Sequence, residues 1–558
     1  MNSPLQKYSD HRSVKFLALL ASERFWLCVF LLLALAVFWP ARQAGFVTDW
    51  LGGQERYETG TFRQALQSFG WVAILPVLFT LNFTLFKLFG TAWLPWFLIF
   101  TMLHAANGWQ LFRLVNRLLR GGGGVNGQWV AVATGALFLL SPYAVEPIVW
   151  KGCIQYPLSL LLLLIALQKT LDFMERPRWR TALLIHGLFL TAIYLTEWNI
   201  IVPFLIIPLI VVKTGETATW PSLRLRLTRL VGPQLAILAG WFLLNKIYLG
   251  HWVGHYGSAT HLQVRPAAMF GTGLKYLAKY AGFTRYFDHG SKERVFAWFD
   301  QSIVLAVAAG LLALLFGAYG FYFTRLSSRW RWAGWGLAAF FVALVPVSNL
   351  FFYWLQWSEN DRYGYYAAGF FWMFVLLVLA GLPRRIFRLV VVALLLISLV
   401  LQIKMTMLWG QSEEIYASLV RDFRWYDREE VIILASPDNL KGVPMLRIIG
   451  QQSGFDEALA LRRHQPYTGK MWEVAQFNLE KPTDGVKVAR DSTGLLLQAS
   501  FRQDGNWWWR NGIGVTDYAS DRYTFQVQEW HVDIRLLDKR PHSAIIYPVS
   551  GRWLEVPQ

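Results

Sequence analysis

Cysteine is nearly absent: 558 residues contain two, Cys28 and Cys153, which excludes a disulfide framework and any cysteine-built metal site. Charge is also scarce, at 16% of residues, too little to clothe soluble domains of ordinary size. No Walker-type loop, G-x-G-x-x-G helix start, H-E-x-x-H or G-x-S-x-G occurs, so nucleotide-driven transport, metalloprotease and serine-hydrolase chemistry have no support. Internal repeats and low-complexity tracts are likewise missing.

What the chain has in abundance is apolar and aromatic mass, 55% hydrophobic and 16% aromatic residues. Stretches such as 25–39, 93–112, 156–171 and 387–409 approach or reach the roughly 20 apolar residues that cross a hydrocarbon core of about 30 Å. Lys7, Arg12, Lys15 and Arg24 precede the first stretch, but no small-residue cleavage site follows it, so it reads as an anchor and not a cleaved leader. The formal charge of +18 raises the question of nucleic acid. Its distribution answers against that: residues 410–558 hold 18 Lys/Arg and 20 Asp/Glu, whereas 1–409 hold 35 and 15, an excess that belongs to membrane loops.

The bias of Lys and Arg toward cytoplasmic loops orients the spans. The basic N-terminus is expected inside, and so is the flank carrying Arg113, Arg117 and Arg120, which leaves room for one crossing between the exit of the first span near 40 and Arg113. The cleanly apolar 93–112 takes that place, and 71–90, with Pro76, Asn82 and Lys87, is expected as an interfacial helix on the outer side. Eleven spans result in all, the last at 387–409. The fold class expected is a mainly α polytopic membrane domain, 1–409, with outer loops at about 41–92 and 250–301, and a soluble C-terminal α/β domain, 410–558, on the non-cytoplasmic side. A strand at 431–435 and short β-rich pieces at 494–500, 523–527 and 544–547 carry the last expectation.

Ionisable groups at membrane depth are costly and mark candidate sites when they gather on one side. With this topology Asp49, Glu146, Glu197, Glu359 and Asp361 all fall at outer span ends or in outer loops. Asp49 follows the first span, where a carboxylate can take the proton of an attacking hydroxyl; an interfacial loop acid is the plain alternative. Glu146 lies between two prolines that break a helix, and Glu197 in a short outer hairpin. Arg362 stands beside Glu359 and Asp361, and its planar fork suits a phosphate, although a structural Arg–Asp pair satisfies the pattern equally. The outer 250–301 loop mixes His251, His255, His261 and His289 with Arg265, Lys275, Lys279, Arg285, Lys292 and Arg294. It suits an anionic lipid headgroup, while a solvated loop is the commoner explanation; the histidine spacing alone does not make a metal site. Trp507, Trp508 and Trp509 suit either sugar stacking or a sheet core.

Taken in order, the motifs resemble those of the C-type glycosyltransferase superfamily, especially the membrane part of transmembrane and tetratricopeptide-containing O-mannosyltransferases. The resemblance rests on Leu81-Asn-Phe-Thr84, Met102-Leu-His-Ala-Ala-Asn107, Ser141-Pro-Tyr-Ala-Val-Glu-Pro-Ile-Val-Trp150, Thr196-Glu197 ahead of Pro203, Val345-Pro-Val-Ser-Asn-Leu350 and Asp361-Arg-Tyr-Gly-Tyr365, and spans about residues 25–385. It implies a bacterial inner-membrane enzyme that moves sugar from a polyprenyl-phosphate donor to a glycan, lipid or protein acceptor on the outer face, with inversion. Asp49 is then the base, Arg362 the phosphate ligand, and Glu146, Glu197, Glu359, Asp361 and Tyr363 line the cleft. Three departures stand out. Trp50 follows Asp49 where the family has a second acid, which leaves a divalent metal without support. Lys151-Gly-Cys-Ile-Gln-Tyr156 replaces an expected arginine and aspartate. No tetratricopeptide array follows the last span. A glycolipid flippase and an envelope-assembly scaffold are the alternatives.

Overall fold

The computed structural model describes residues 22–47, 57–58, 60–67, 73–120, 127–215, 219–252, 265–287, 289–348, 358–424, 430–446, 454–465, 467–501, 508–509, 517–528, 531–538 and 543–556. Asp49, His255, His261 and Trp507 lie outside these residues. So do the side chains of Glu359, His289, Trp508 and Trp509, although their backbone is described.

Among the described residues eight helices are long and apolar enough to cross a membrane: Glu23–Ala41, Lys151–Glu175, Glu197–Thr214, Trp220–Leu249, Ser302–Phe321, Ser328–Ser348, Asp361–Leu379 and Arg384–Asp422. A ninth is broken, Gly127–Leu139 bending by 50° into Pro142–Val149. The sequence reading counts two more. Trp93–Leu119, with 27 residues, is about 40 Å long, but His104, Asn107, Gln110, Arg113 and Arg117 lower its hydropathy. Trp179–Ile193, with 15 residues, reaches only about 22 Å. Pro76–Phe89 is shorter still, 14 residues or about 21 Å, less than the hydrocarbon thickness.

Small residues bring the first helices together. A Cβ on Gly135 would lie 2.7 Å from the Gly108 carbonyl oxygen and 2.8 Å from the Phe30 ring, so Trp93–Leu119, Gly127–Leu139 and Glu23–Phe38 meet where glycine leaves room, as packing between membrane helices favours. Buried polar groups then fix register. His104 sits between the Tyr365 hydroxyl, 2.8 Å away, and the Leu139 carbonyl, 3.2 Å away. That carbonyl can only accept, so Nε2 carries the proton and Nδ1 accepts from Tyr365. Asn107 donates to the Pro157 carbonyl at 2.8 Å and to the Tyr365 hydroxyl at 3.3 Å.

The Arg384–Asp422 helix has 39 residues, about 58 Å, and so outruns the hydrocarbon core. Its last turns carry the C-terminal domain: Trp553 donates its backbone N–H to Asp422 at 2.7 Å and its indole N–H to the Leu419 carbonyl at 3.0 Å. At the centre of that domain is β1 (Glu430–Leu440), buried along all 11 residues and paired in parallel with β3 (Lys470–Leu479) and β10 (Ser543–Val549). A strand covered on both faces is a continuous apolar run, as Val431-Ile-Ile-Leu-Ala435 is. The short β2 (Val443–Pro444) turns back on β1, β6 (Trp508–Trp509) closes the β3 edge, and β11 (Arg552–Glu555) closes the β10 edge. A second sheet is antiparallel in the order β4 (Val486–Arg490), β5 (Leu496–Phe501), β9 (His531–Leu536), β8 (Tyr523–Val527), β7 (Asp517–Ala519). The helix Gly454–Arg463 packs between the first sheet's side and the long membrane helix.

Candidate functional site

The site forms where four backbone irregularities meet at one end of the bundle. The first is the exit of the first span. Gly45 has φ +112° and faces Val149 so closely that a Cβ would fall on its carbonyl oxygen, and this is a place where only glycine fits. The Gly45 carbonyl accepts the Lys151 backbone N–H at 2.9 Å, and the Val47 carbonyl accepts the Trp150 indole N–H at 3.2 Å. The chain leading to Asp49 is therefore strapped to residues 149–151.

The second irregularity is the broken span. Leu140 and Ser141 separate Gly127–Leu139 from the turn Pro142–Ala144, and a five-residue helix, Val145–Val149, presents Glu146 before the chain extends at Trp150. The third is the 3-10 helix Ser358–Gly364, which carries Asp361, Arg362 and Tyr363 into the span Tyr365–Leu379. Glu146 is fully buried and clamps this segment: its two oxygens accept the Arg362 backbone N–H at 2.7 Å and the guanidinium Nη1 at 2.5 Å. Arg362 also lies over the rings of Trp150, at 4.8 Å, and Tyr363, at 4.4 Å, and donates to the Tyr363 hydroxyl at 3.0 Å. Trp198 stacks parallel on Tyr363 at 5.4 Å and meets Tyr156 edge-on at 5.5 Å.

The fourth element is the helix Pro266–Gly282 with the turn Thr284–Tyr286, which is not among the candidate spans. It supplies Lys279, 2.7 Å from Asp361, and Arg285, which hydrogen-bonds the same Asp361 oxygen. Lys279 and Asp361 are each 1% exposed, and Arg285 is 8% exposed. Both cations also lie over the Tyr143 ring, at 5.1 and 5.0 Å, and Lys279 lies over Tyr276 at 5.4 Å. Burial pulls the Lys279 ammonium below its ordinary range; Asp361 opposes that pull, and the neighbouring Arg285 charge adds to it. Burial also works against the Arg285 charge, but the shared Asp361 outweighs it and holds the guanidinium above its usual value. The two cations move oppositely because Arg285 is the stronger partner of the single acid they share.

Three cations and two carboxylates meet in this cluster, Lys279, Arg285 and Arg362 against Glu146 and Asp361. That is the balance among the described side chains; the Glu359 side chain, in the same 3-10 helix, is outside them. Among the described residues, Asp361 Oδ2 and the fully buried Tyr276 hydroxyl have no hydrogen-bond partner. Buried polar groups are normally satisfied, so each unsatisfied one asks for an explanation. Clustered cations beside an open hydroxyl in a dry site are an arrangement that binds an oxyanion.

The structure thus brings together Glu146, Asp361, Arg362 and Tyr363, and sets Glu197 at the edge, one residue before Trp198. Glu197 is half-buried, its nearest polar partner is the Thr196 hydroxyl at 3.4 Å, and no cation lies within ion-pairing distance among the described residues. Arg362 differs from the sequence reading in one respect: it already holds a carboxylate of its own. Lys279 and Arg285, taken from sequence as members of a solvated basic loop, are instead inside the cluster. Trp198 and Tyr276 gave no signal in the sequence beyond aromatic content, whereas Tyr143 and Trp150 lie in the Ser141–Trp150 motif. His251, with the other loop histidines undescribed or without described side chains, joins no metal-binding group; no cluster of three His, Cys, Asp or Glu occurs among the described residues.

No protein-family model matches the chain, and no curated protein matches it. Among solved structures it is similar to the crystal structure of ArnT from Cupriavidus metallidurans in the apo state, with a TM-score of 0.34 and 17% identity over 80% of this chain and 85% of that one. A likeness of that size carries no argument about what this chain does.

Proposed function

We propose that the chain is an integral membrane glycosyltransferase of the C type, moving a sugar from a polyprenyl-phosphate donor to a glycan, lipid or protein acceptor on the non-cytoplasmic face. One observation carries the reading: Lys279, Arg285 and Arg362 gathered in burial around Asp361 and Glu146, beside the unsatisfied Tyr276 hydroxyl, at one mouth of the bundle. A lipid phosphate leaving an anomeric carbon needs that charge most as the bond breaks, so preorganised cations lower the barrier directly. The ordered motifs noted in the sequence agree with this reading.

In this mechanism Lys279 and Arg285 take the donor phosphate, and Arg362, oriented by Glu146, contributes from the opposite side. Trp198 and Tyr363 offer stacked aromatic faces on which a sugar ring can rest. Asp49 is the base. It enters two residues after Val47, whose carbonyl is fixed to the Trp150 ring that Arg362 covers. The acceptor hydroxyl loses its proton to Asp49 while attacking the anomeric carbon opposite the departing phosphate, which inverts that centre. By the bias of Lys and Arg, the N-terminus lies in the cytoplasm and the C-terminal domain outside.

The experiment is turnover of labelled polyprenyl-phosphate sugars by the purified protein in lipid, with Asp49→Asn, Glu197→Gln and Arg362→Ala beside the native chain. The native protein is expected to break the sugar–phosphate bond, Asp49→Asn to lose at least 100-fold in rate with donor binding kept, and Glu197→Gln to lose less. Movement of intact donor between leaflets without bond cleavage would instead make the protein a flippase.

A further inference from the structure

Next to Trp150 in the chain stands a second buried charge. Lys151 is 1% exposed, and its ammonium stands 5.3 Å from the Phe100 ring. Among the described residues no carboxylate lies within ion-pairing distance of it. The acid whose field reaches it is Glu413 of the long helix, and Glu413 is occupied: Arg462, from the C-terminal domain, grips both its oxygens at 2.5 and 3.0 Å while its guanidinium covers Tyr416 at 4.0 Å. Two cations thus attend one acid, and among the described residues one of them, Lys151, has no counter-ion.

A buried ammonium with no anion is unfavourable unless it gives up its proton or something supplies an anion. The backbone leaves Lys151 little freedom to escape, because its N–H is tied to the Gly45 carbonyl and the following 3-10 turn, Lys151–Cys153, is buried between spans. Its place is roofed by the C-terminal domain: Arg462 closes on Glu413, and β2 lies against the Ser358–Gly364 helix that carries Arg362. The Lys279–Arg285 cluster has a different neighbour. There Lys404, exposed on the long helix, lies 5.6 Å from the Tyr286 ring, next to Arg285.

We propose that Lys151 is the centre of a second anion subsite, separate from the Lys279–Arg285 cluster, that takes a phosphate-type oxyanion carried by a substrate. The proposal rests on the transferase reading only for which substrate brings the anion. An acceptor approaching under the water-facing domain meets Lys151, and a lipid-borne donor arriving from the bilayer side meets Lys404 and Arg285. Binding itself needs no turnover to be seen.

The test uses the full chain in neutral-lipid nanodiscs, with tryptophan fluorescence titrated against inorganic phosphate and, separately, a short-chain polyprenyl phosphate, at constant ionic strength. Lys151→Met is expected to weaken one of the two ligands at least 10-fold, and Lys151→Arg to retain it within about threefold. Loss confined to inorganic phosphate assigns the subsite to a soluble or headgroup phosphate, and loss confined to the polyprenyl phosphate assigns it to the donor. Affinities unchanged for both ligands in a folded Lys151→Met protein overturn the proposal. Glu413→Gln gives an independent reading if Lys151→Met does not fold: removing the acid is expected to tighten the Lys151 ligand severalfold, and an unchanged or weaker affinity overturns the proposal as well.

Discussion

The two ends of the helix bundle use the same residue types in opposite ways. At one end Arg113 and Arg120 reach Glu23 at 2.9 and 3.4 Å, and Arg117 reaches Asp172 and Glu175 at 2.5 and 3.0 Å. These pairs stitch the start of the first span to the ends of Trp93–Leu119 and Gln155–Glu175, and their acids are 36% to 52% exposed. At the other end Arg362, Arg285 and Lys279 pair with Glu146 and Asp361 in near-complete burial. Exposed pairs are worth little, because water and salt screen them and the side chains lose entropy. Buried pairs hold charge that water cannot relax, so any imbalance is available to a ligand. Burial, and not arginine count, separates the two ends.

That difference can be broken most forcefully at Glu146. Glu146→Ala leaves Arg362 buried without its acid, and loss of one partner of a buried pair costs about 3–5 kcal/mol. Thermal unfolding in detergent is expected to show this, with donor turnover abolished. The double replacement Glu146→Met with Arg362→Met is expected to regain most of the stability and none of the turnover. Equal stability of Glu146→Ala and the native chain would mean that Arg362 is solvated in the membrane.

Much of the fold was legible before this pair was seen, and the reasons divide by interaction range. Apolar length marked the spans because a hydrocarbon core asks the same thing of every crossing, and Val431-Ile-Ile-Leu-Ala435 marked a central strand for the same local reason. Trp93–Leu119 and Trp179–Ile193 were harder: one is long but polar because His104, Asn107 and Gln110 face a buried seam, and the other is apolar but short. Glu146, Asp361 and Arg362 stood out singly as ionisable groups at span ends. Their pairing did not, since Glu146 and Arg362 are 216 residues apart. Lys279 and Arg285 were least legible, because a basic loop looks alike whether water or protein surrounds it. The expected base, Asp49, lies outside the described residues, and its role rests on the proposal above.

A sharper comparison follows from Lys279, whose proton affinity ends below its ordinary range, whereas that of Arg285 ends above its own. Lys279 loses its proton at lower pH than a free lysine, so donor affinity is expected to fall as pH rises toward the lysine range. Arg285 stays charged throughout. Lys279→Arg is expected to remove that fall, which a titration of donor binding against pH reads directly; a fall of the same size in Lys279→Arg would assign it to another group.

The smallest effect is expected at the fastening end. Arg117→Ala should lower the unfolding free energy by about 1 kcal/mol or less and leave donor affinity within twofold. A larger loss of stability, read by the same unfolding experiment, would show that the Asp172 and Glu175 contacts are less screened than their exposure implies.

The most direct measurement is equilibrium binding of a polyprenyl-phosphate sugar to the purified chain, comparing Lys279→Met with Arg285→Met together against Arg113→Ala with Arg117→Ala together. Each pair removes two cations. Loss of charge-assisted contacts is expected to weaken donor binding about 100-fold in the first protein, with the second indistinguishable from the native chain. Equal affinity in all three, or equal loss from both ends, would contradict the assignment of the buried cluster as the donor site.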